Sequence, residues 1–125
     1  MAPPSTLDSS SPHVEERSVG EVELFIMNGE FDAYSTPWLE EQLLAAIEHG
    51  RYELALDMRG VTFVDMSTLN AIVRAMKLVY RHNGHLVVAG AQRPVLRTID
   101  LAGLQYAVKV YRTREEAVAA LDARR

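Results

Sequence analysis

The stretch that decides the fold lies in the middle of the chain, where residues 54–80 read LALDMRGVTFVDMSTLNAIVRAMKLVY. The short apolar runs 54–56 and 61–64 are typical of strands covered on both faces, and Gly60 predicts a turn between them. From Ser67 onward the apolar residues take helical spacing, and we predict that Ser67 caps this helix. A strand that leads directly into a helix indicates an α/β unit.

The predicted helix has an apolar side that should face the core. Its members recur at spacings of three, four, seven and eleven, and they are Leu69, Ile72, Val73, Met76 and Tyr80.

The segments upstream of this unit show matching patterns. Alternation in residues 13–19 and 22–27 predicts a hairpin. Thr36 followed by Pro37 predicts a helix start, with the Thr36 side chain as its cap. A helix then separates this hairpin from the run at 54–56.

The segments downstream repeat the alternation of strand and helix. Residues 86–89 and about 107–111 predict strands, and Pro94 opens a helix between them. Thr113 with Glu116 three residues later predicts a capping box for a last helix. Strands joined through helices run parallel, so we predict an α/β domain with a mixed, mainly parallel sheet of about five strands and about four helices.

Length and composition favour one domain. The chain has 125 residues, of which 48% are hydrophobic. A chain of this size can bury a hydrophobic core without disulfides or a structural metal. Residues 1–12 read MAPPSTLDSSSP, a composition that predicts a disordered tail before a domain at 13–125. Because the chain contains no cysteine, disulfides and thiolate metal sites are excluded.

Charge and hydropathy limit the classes of partner that the protein can bind. The net charge is −4, and the only adjacent basic pair is Arg124-Arg125, so we expect no direct nucleic-acid binding. No apolar run approaches the ~20 residues of a membrane span, and the N-terminus lacks the pattern of a signal peptide. We therefore expect a cytoplasmic protein with no membrane partner.

The densest group of chemically useful residues is Asp65-Met66-Ser67-Thr68, between a strand and a helix. The first turn of a helix carries unpaired N–H groups and the positive end of the helix dipole, so a phosphate on a hydroxyl there is stabilised by the backbone. Such a phosphate adds ~1.5 to 2 negative charges and repels a partner surface that fits the bare hydroxyl. The same residue types are also ordinary helix caps with no further role, and both interpretations remain open on residue type alone.

Several motifs together resemble the STAS family of anti-sigma factor antagonists. In that family one strand ends in Gly-x-x-Asp, a later strand ends in an apolar pair followed by Asp-Ser-Ser/Thr-Gly-Leu, and the last helix carries Glu-Glu-Ala. The corresponding segments here are Gly29-Glu30-Phe31-Asp32, Phe63-Val64-Asp65-Met66-Ser67-Thr68-Leu69 and Glu115-Glu116-Ala117. The order of elements over the domain is also similar to that of the family.

The resemblance implies site residues. Ser67 matches the family's phosphorylated position, and Asp65 and Asp32 match the flanking acids; with Met66 and Thr68 they form the predicted partner-binding site. Met66 replaces the family's first Ser and Thr68 replaces its Gly. Thr68 is therefore an alternative acceptor, and a member that is not phosphorylated is a further alternative.

The resemblance also implies a partner cycle. The unphosphorylated protein binds an anti-sigma factor and releases a sigma factor. The anti-sigma factor is commonly an ATP-dependent serine kinase that inactivates the antagonist, and a phosphatase resets it. In this cycle the chain is a ligand and a substrate, with no catalytic residues, cofactor or metal of its own.

Two other functions compete with this one. The first is a STAS scaffold or transport-associated module without a kinase cycle. The second is an aspartate-based phosphatase, since Asp57 follows the apolar run at 54–56, but the second acid such chemistry needs two residues later is replaced by Arg59. We predict Asp57 to be a strand-end or turn residue, and His82 and His85 to be solvated rather than metal ligands.

Overall fold

The computed structural model describes residues 11–124. Residues 1–10 of the predicted tail lie outside the described residues. The elements are β1 (His13–Val19), β2 (Val22–Phe31), α1 (Thr36–Glu48), β3 (Glu53–Val64), α2 (Met66–Tyr80), β4 (His85–Ala89), α3 (Arg93–Leu101), β5 (Val110–Tyr111) and α4 (Arg114–Ala123). Among the described residues, no helix is both long and apolar enough to cross a membrane.

The strands form one sheet whose spatial order follows the sequence, β1-β2-β3-β4-β5. β1 and β2 are the antiparallel hairpin, and every other neighbouring pair is parallel. The α/β fold with a mixed sheet of five strands and four helices confirms the prediction. Because β2, β3 and β4 are parallel, their carboxyl ends lie at the same end of the sheet.

The helices cover the two faces of the sheet unequally. On one face, α1, α2 and α3 pack over alternate strand residues, including Phe25, Leu54 and Leu56. On the other face, α4 packs Ala117 and Leu121 on a smaller cluster that includes the intervening Ala55. Alternation along the strands therefore divides the core into a large and a small layer.

β3 differs from its prediction. It is one continuous strand of 12 residues, and Gly60 lies inside it instead of forming a turn. A Cβ at Gly60 would collide with the side chain of Asn28 on β2, at a point where the pairing of the two strands shifts register. This glycine therefore makes room for a neighbouring strand.

Two further predictions were wrong in detail. β5 contains only Val110–Tyr111, because the N–H groups of Ala107 and Val108 donate to Leu104 in a turn instead of to β4. On α2, Tyr80 is 74% exposed, and the inward stripe includes Ala71, Ala75 and Val79. Small alanines allow the helix to approach the sheet closely, so the larger Val73 and Met76 lie at its flanks, half-buried.

Candidate functional site

The carboxyl ends of β2 and β3 bring two polar segments together. These strands are paired up to Phe31 and Val64, and the N–H of Asp65 donates to the carbonyl of Phe31 at 3.1 Å. Each strand then leads into a helix, so α1 and α2 both begin at this end of the sheet. The structure thus places the predicted acids Asp32 and Asp65 in adjacent strand-to-helix connections.

The cap of α2 is Asp65, and the prediction that Ser67 caps this helix was wrong. Asp65 has an extended backbone, and its Oδ1 accepts the N–H of Thr68 at 3.1 Å. Ser67 is the second residue of the helix. Because the cap is the acid two positions earlier, the Ser67 hydroxyl is not needed by the backbone.

The start of α1 also differs from its prediction. Thr36 is already helical, and its side chain does not cap the backbone of α1. The preceding turn is closed by Asp32, whose Oδ1 accepts the N–H groups of Tyr34 at 3.0 Å and Ser35 at 3.2 Å. The Thr36 side chain points towards α2 instead, which spacing along the sequence did not reveal.

Three hydroxyls from the two helices form one hydrogen-bonded group with Asp65. The Ser67 hydroxyl donates to Asp65 Oδ1 at 2.6 Å. Thr36 Oγ1 lies 3.2 Å from Ser67 Oγ and 2.9 Å from Thr68 Oγ1. The structure therefore brings Asp65, Ser67 and Thr68 together, whereas the Asp32 carboxylate serves its own turn.

The charge of Asp65 is stabilised by neutral donors. Partial burial by itself raises the pKa of Asp65, but hydrogen bonds from the Ser67 hydroxyl and from the backbone and side chain of Thr68 outweigh it and hold the pKa below the ordinary value. The Ala33 N–H contributes in the same direction. A fixed negative charge therefore lies in contact with Ser67 Oγ.

The two hydroxyls of the predicted site differ in access. Ser67 is half-buried, whereas Thr68 is 0% exposed and its hydroxyl also approaches the carbonyl of Phe31, at 3.2 Å. Only Ser67 combines a surface position with a hydroxyl that the backbone does not use. Of the two predicted phosphate acceptors, Ser67 is therefore the more accessible.

Three large apolar side chains in the segments that carry Asp32, Asp65 and Ser67 are open to solvent. Tyr34 is 72% exposed, Met66 49% and Phe63 46%. They lie in the turn before α1, at the start of α2 and near the end of β3. We call them, with Asp32, Asp65 and Ser67, the switch face, after the phosphorylation switch that the sequence predicts at Ser67. Tyr34 was missed by sequence reasoning, although a large aromatic residue in a polar turn is a signal that could have found it.

Asp57 lies elsewhere and is neither the strand-end residue nor the turn residue that we predicted. It is in the interior of β3, 3% exposed, with Oδ2 2.7 Å from Arg114 Nε of α4. Its Oδ1 accepts the N–H of Arg59 at 3.0 Å. A charge buried in a sheet needs such a partner, which explains the position of an acid inside an apolar strand.

His82 is exposed, as predicted, whereas His85 is half-buried and paired with an acid. His85 Nδ1 lies 2.9 Å from Glu53 on the neighbouring strand, and His82 stacks on Tyr52 with ring centroids 4.2 Å apart. In the part of the chain that the structure describes, no group of three or more acidic or histidine side chains is arranged to hold a metal ion.

Comparison with known proteins identifies the family. The model of the STAS domain matches residues 13–117. The chain belongs to the STAS family. The anti-sigma-B factor antagonist of Bacillus subtilis is 29% identical to this STAS domain over 90 residues, which cover 72% of this chain and 82% of that protein.

Solved structures share the fold of this STAS domain. The anti-sigma factor antagonist SpoIIAA in its unphosphorylated form superposes with a TM-score of 0.80 at 17% identity, over 89% of this chain and 97% of that one. The phosphorylated Bacillus form gives 0.71 at 17% identity, over 86% and 98%. A sulfate transporter family protein of Wolinella succinogenes gives 0.70 at 20% identity, over 86% and 91%. At these identities the likeness shows the fold alone.

Proposed function

We propose that this STAS domain is an anti-sigma factor antagonist that acts in the cytoplasm and is switched by phosphorylation of Ser67. In the unphosphorylated state it binds an anti-sigma factor, which then releases its sigma factor. The observation that carries the proposal is the accessible Ser67 hydroxyl in the first turn of α2, hydrogen-bonded to the Asp65 carboxylate at 2.6 Å. The B. subtilis relative, an anti-sigma-B factor antagonist, supports the class of partner.

The position of Ser67 allows a phosphate without loss of the fold. Its hydroxyl makes no bond that the backbone requires, because Asp65 caps α2. A phosphate on the second residue of a helix lies near unpaired N–H groups and the positive end of the dipole. Phosphorylation therefore changes the surface of the domain and leaves its core intact.

The same position makes a phosphate costly for a bound partner. Asp65 already holds a negative charge against Ser67, and a phosphate adds ~1.5 to 2 more at the same point. A partner that buries Tyr34, Phe63 and Met66 would have to desolvate these charges together. The exposed apolar side chains favour binding of the partner. The phosphate opposes it, because its charge must be desolvated beside Asp65.

We propose that the chain is a substrate and not an enzyme. An anti-sigma factor with serine kinase activity transfers the γ-phosphoryl group of ATP to Ser67 Oγ, ADP leaves, and the hydroxyl proton is released. A phosphatase later hydrolyses the ester. The acid in contact with Ser67 has a lowered pKa and is a poor general base, so Ser67 lacks the activation that a nucleophilic serine needs.

The first test is phosphorylation by a candidate anti-sigma kinase with ATP, followed by intact-mass measurement. We expect one added phosphate on the wild-type chain and none on Ser67→Ala. Thr68→Val is the matched control and should still be phosphorylated. Phosphate on Ser67→Ala at the wild-type rate would show that Ser67 is not the acceptor.

The second test measures affinity for the anti-sigma factor by calorimetry. Ser67→Asp should fold normally and bind at least about tenfold more weakly, and Tyr34→Ala should lose a similar amount as an apolar anchor. Gln105→Glu adds a charge on an exposed loop outside the switch face and should leave the affinity unchanged. Equal affinity of wild type and Ser67→Asp would refute the switch.

A second candidate is the scaffold or transport-associated module, since the Wolinella succinogenes sulfate transporter family protein shares this fold. Such a module should accept no phosphate and should tolerate a charge at Ser67. The same two measurements therefore separate it from the switch. The phosphatase alternative requires turnover of a phosphate ester that disappears in Asp57→Asn.

A further inference from the structure

The hydroxyl protons at the switch face can be assigned one by one. Thr36 Oγ1 donates to the carbonyl of Asp32 at 2.8 Å, because a carbonyl only accepts. Ser67 donates its proton to Asp65 at 2.6 Å. Thr68 Oγ1 lies 2.9 Å from Thr36 Oγ1, 3.2 Å from the Phe31 carbonyl and 3.3 Å from Asp65 Oδ1. Since Thr36 has no second proton, the shortest of these contacts is a donation from Thr68 to Thr36.

This assignment leaves one contact without a proton. Thr36 Oγ1 and Ser67 Oγ approach to 3.2 Å, yet each hydroxyl gives its proton to another acceptor. Thr36 is 5% exposed and comes from α1, so it is a buried donor from the neighbouring helix, placed beside the predicted phosphorylation site. The unmodified state does not use this donor towards Ser67.

A phosphate on Ser67 changes the competition for these protons. The ester oxygen can no longer donate to Asp65, and phosphoryl oxygens two bonds from Oγ become strong charged acceptors. Hydrogen bonds to charged acceptors are roughly twice as strong as neutral ones. The Asp32 carbonyl can release Thr36 Oγ1 without becoming unsatisfied, because it also accepts the N–H groups of Ser35 at 3.2 Å and Thr36 at 3.0 Å.

From this geometry, and resting on the proposed phosphorylation of Ser67, we propose that Thr36 is a ligand of the phosphate: its hydroxyl turns from the Asp32 carbonyl to a phosphoryl oxygen. Thr36 is then a positioning residue of the modified state. Its move removes one hydrogen bond to the Asp32 carbonyl, in the turn of residues 32–35 that carries the exposed Tyr34 of the switch face. The phosphate thus acts on a partner through its charge and also through this turn.

The test uses the full chain with phosphoserine encoded at position 67 by amber suppression, so that no kinase is needed. The second pKa of the phosphate is read from the ³¹P shift during a pH titration. A donated hydrogen bond stabilises the dianion, so Thr36→Val should raise this pKa by about half a unit. Thr36→Ser, which keeps the hydroxyl, and Thr98→Val, which removes one on α3, should match the wild type.

Two outcomes would overturn the inference. One is the same phosphate pKa in Thr36→Val and in the parent. The other is an unchanged set of Ala33, Tyr34 and Ser35 amide shifts when serine and phosphoserine forms of the parent chain are compared, a measurement that does not depend on any variant folding. Folding of Thr36→Val is expected, since Thr68 can donate to the Phe31 carbonyl instead.

The result separates this inference from the proposed function. If candidate kinases leave Ser67 unmodified, the proposed function fails while the ³¹P titration remains valid. If kinases phosphorylate Ser67 but Thr36→Val leaves the phosphate pKa unchanged, only the role of Thr36 fails.

Discussion

Asp57 lies inside β3 and Asp65 directly follows it, yet the charges of the two carboxylates are compensated in different ways. Asp57 is buried inside β3 and meets the guanidinium of Arg114 at 2.7 Å. Asp65 follows β3, is half-buried, and is stabilised by two hydroxyls and backbone N–H groups. The first carboxylate is neutralised by a cation, whereas the second keeps its charge at the surface.

The difference shows where a switch can be placed in this fold. At Asp57 the counter-charge ties β3 to α4, so any change in charge there is a change in stability. At Asp65 the partners are neutral, and one of them is Ser67, the proposed phosphorylation site, whose hydroxyl is not the helix cap. A negative charge added beside Asp65 therefore changes the charge of the surface, whereas one added beside Asp57 would lower the stability of the fold.

The largest effect should come from breaking the pair at Asp57. Asp57→Ala leaves Arg114 without its partner beside the sheet, and we expect a loss of about 3 kcal/mol in the free energy of unfolding, the lower end for a buried pair because Arg114 is one-third exposed. Urea denaturation measures it. The control Asp100→Ala, at an exposed position on α3, should change stability by less than about 0.5 kcal/mol. Equal losses of unfolding free energy in the two variants would mean that the buried pair does not stabilise the fold more than an exposed acid does.

An intermediate effect is expected at Asp65. Asp65→Ala removes the cap of α2 and should cost about 1 to 2 kcal/mol, while Asp65→Asn keeps an acceptor and should cost less. The folded pKa lies below the ordinary 3.8, so the charge stabilises the protein at neutral pH, and this part is lost as pH falls through that lowered pKa. Unfolding at pH 7 and pH 3 should show wild type and Asp65→Asn converging in acid. A constant difference would contradict the charge argument.

The smallest effect concerns a third form of compensation, an acid that is stabilised by retaining its proton. Although Glu16 is exposed at the surface, partial desolvation first, and then the hydrogen bond and charge of Glu23, raise the pKa of Glu16 to about 7, while Arg51 contacts Glu23 at 3.1 Å. A raised pKa means that stability is full below the ordinary 4.5 and falls as pH rises through about 7.

Glu16→Gln keeps a donor without this titration. It should be more stable than wild type at pH 8, by less than about 1 kcal/mol because the site is largely exposed to solvent, and equal to it near pH 4. Thermal unfolding at both pH values measures this. Glu15→Gln, on the opposite face of β1, should show no such gain at pH 8. A gain in both variants would indicate a general charge effect of the edge strand.

Sequence patterns predicted most of the fold, because hydrophobic periodicity and the residues that begin or end an element are local properties of the chain. The hairpin of β1 and β2, the start of α3 near Pro94 and the Thr113 cap of α4 were confirmed. The continuous β3 was not predicted, because Gly60 is explained by Asn28 on another strand. The short β5 depends likewise on a turn closed by Leu104.

For the candidate site, the sequence by itself determined which residues are present at the start of α2: an acid, a serine and a threonine after an apolar strand, in a pattern that identified the family. Only the tertiary structure decided the role of each residue. Asp65 became the cap, Thr68 was buried, and Thr36 from the other helix was brought within 3.2 Å of Ser67. The physical reason is that capping and spacing act within one segment, whereas burial and the sharing of hydroxyl protons depend on two segments, 31 residues apart, that meet at parallel strand ends.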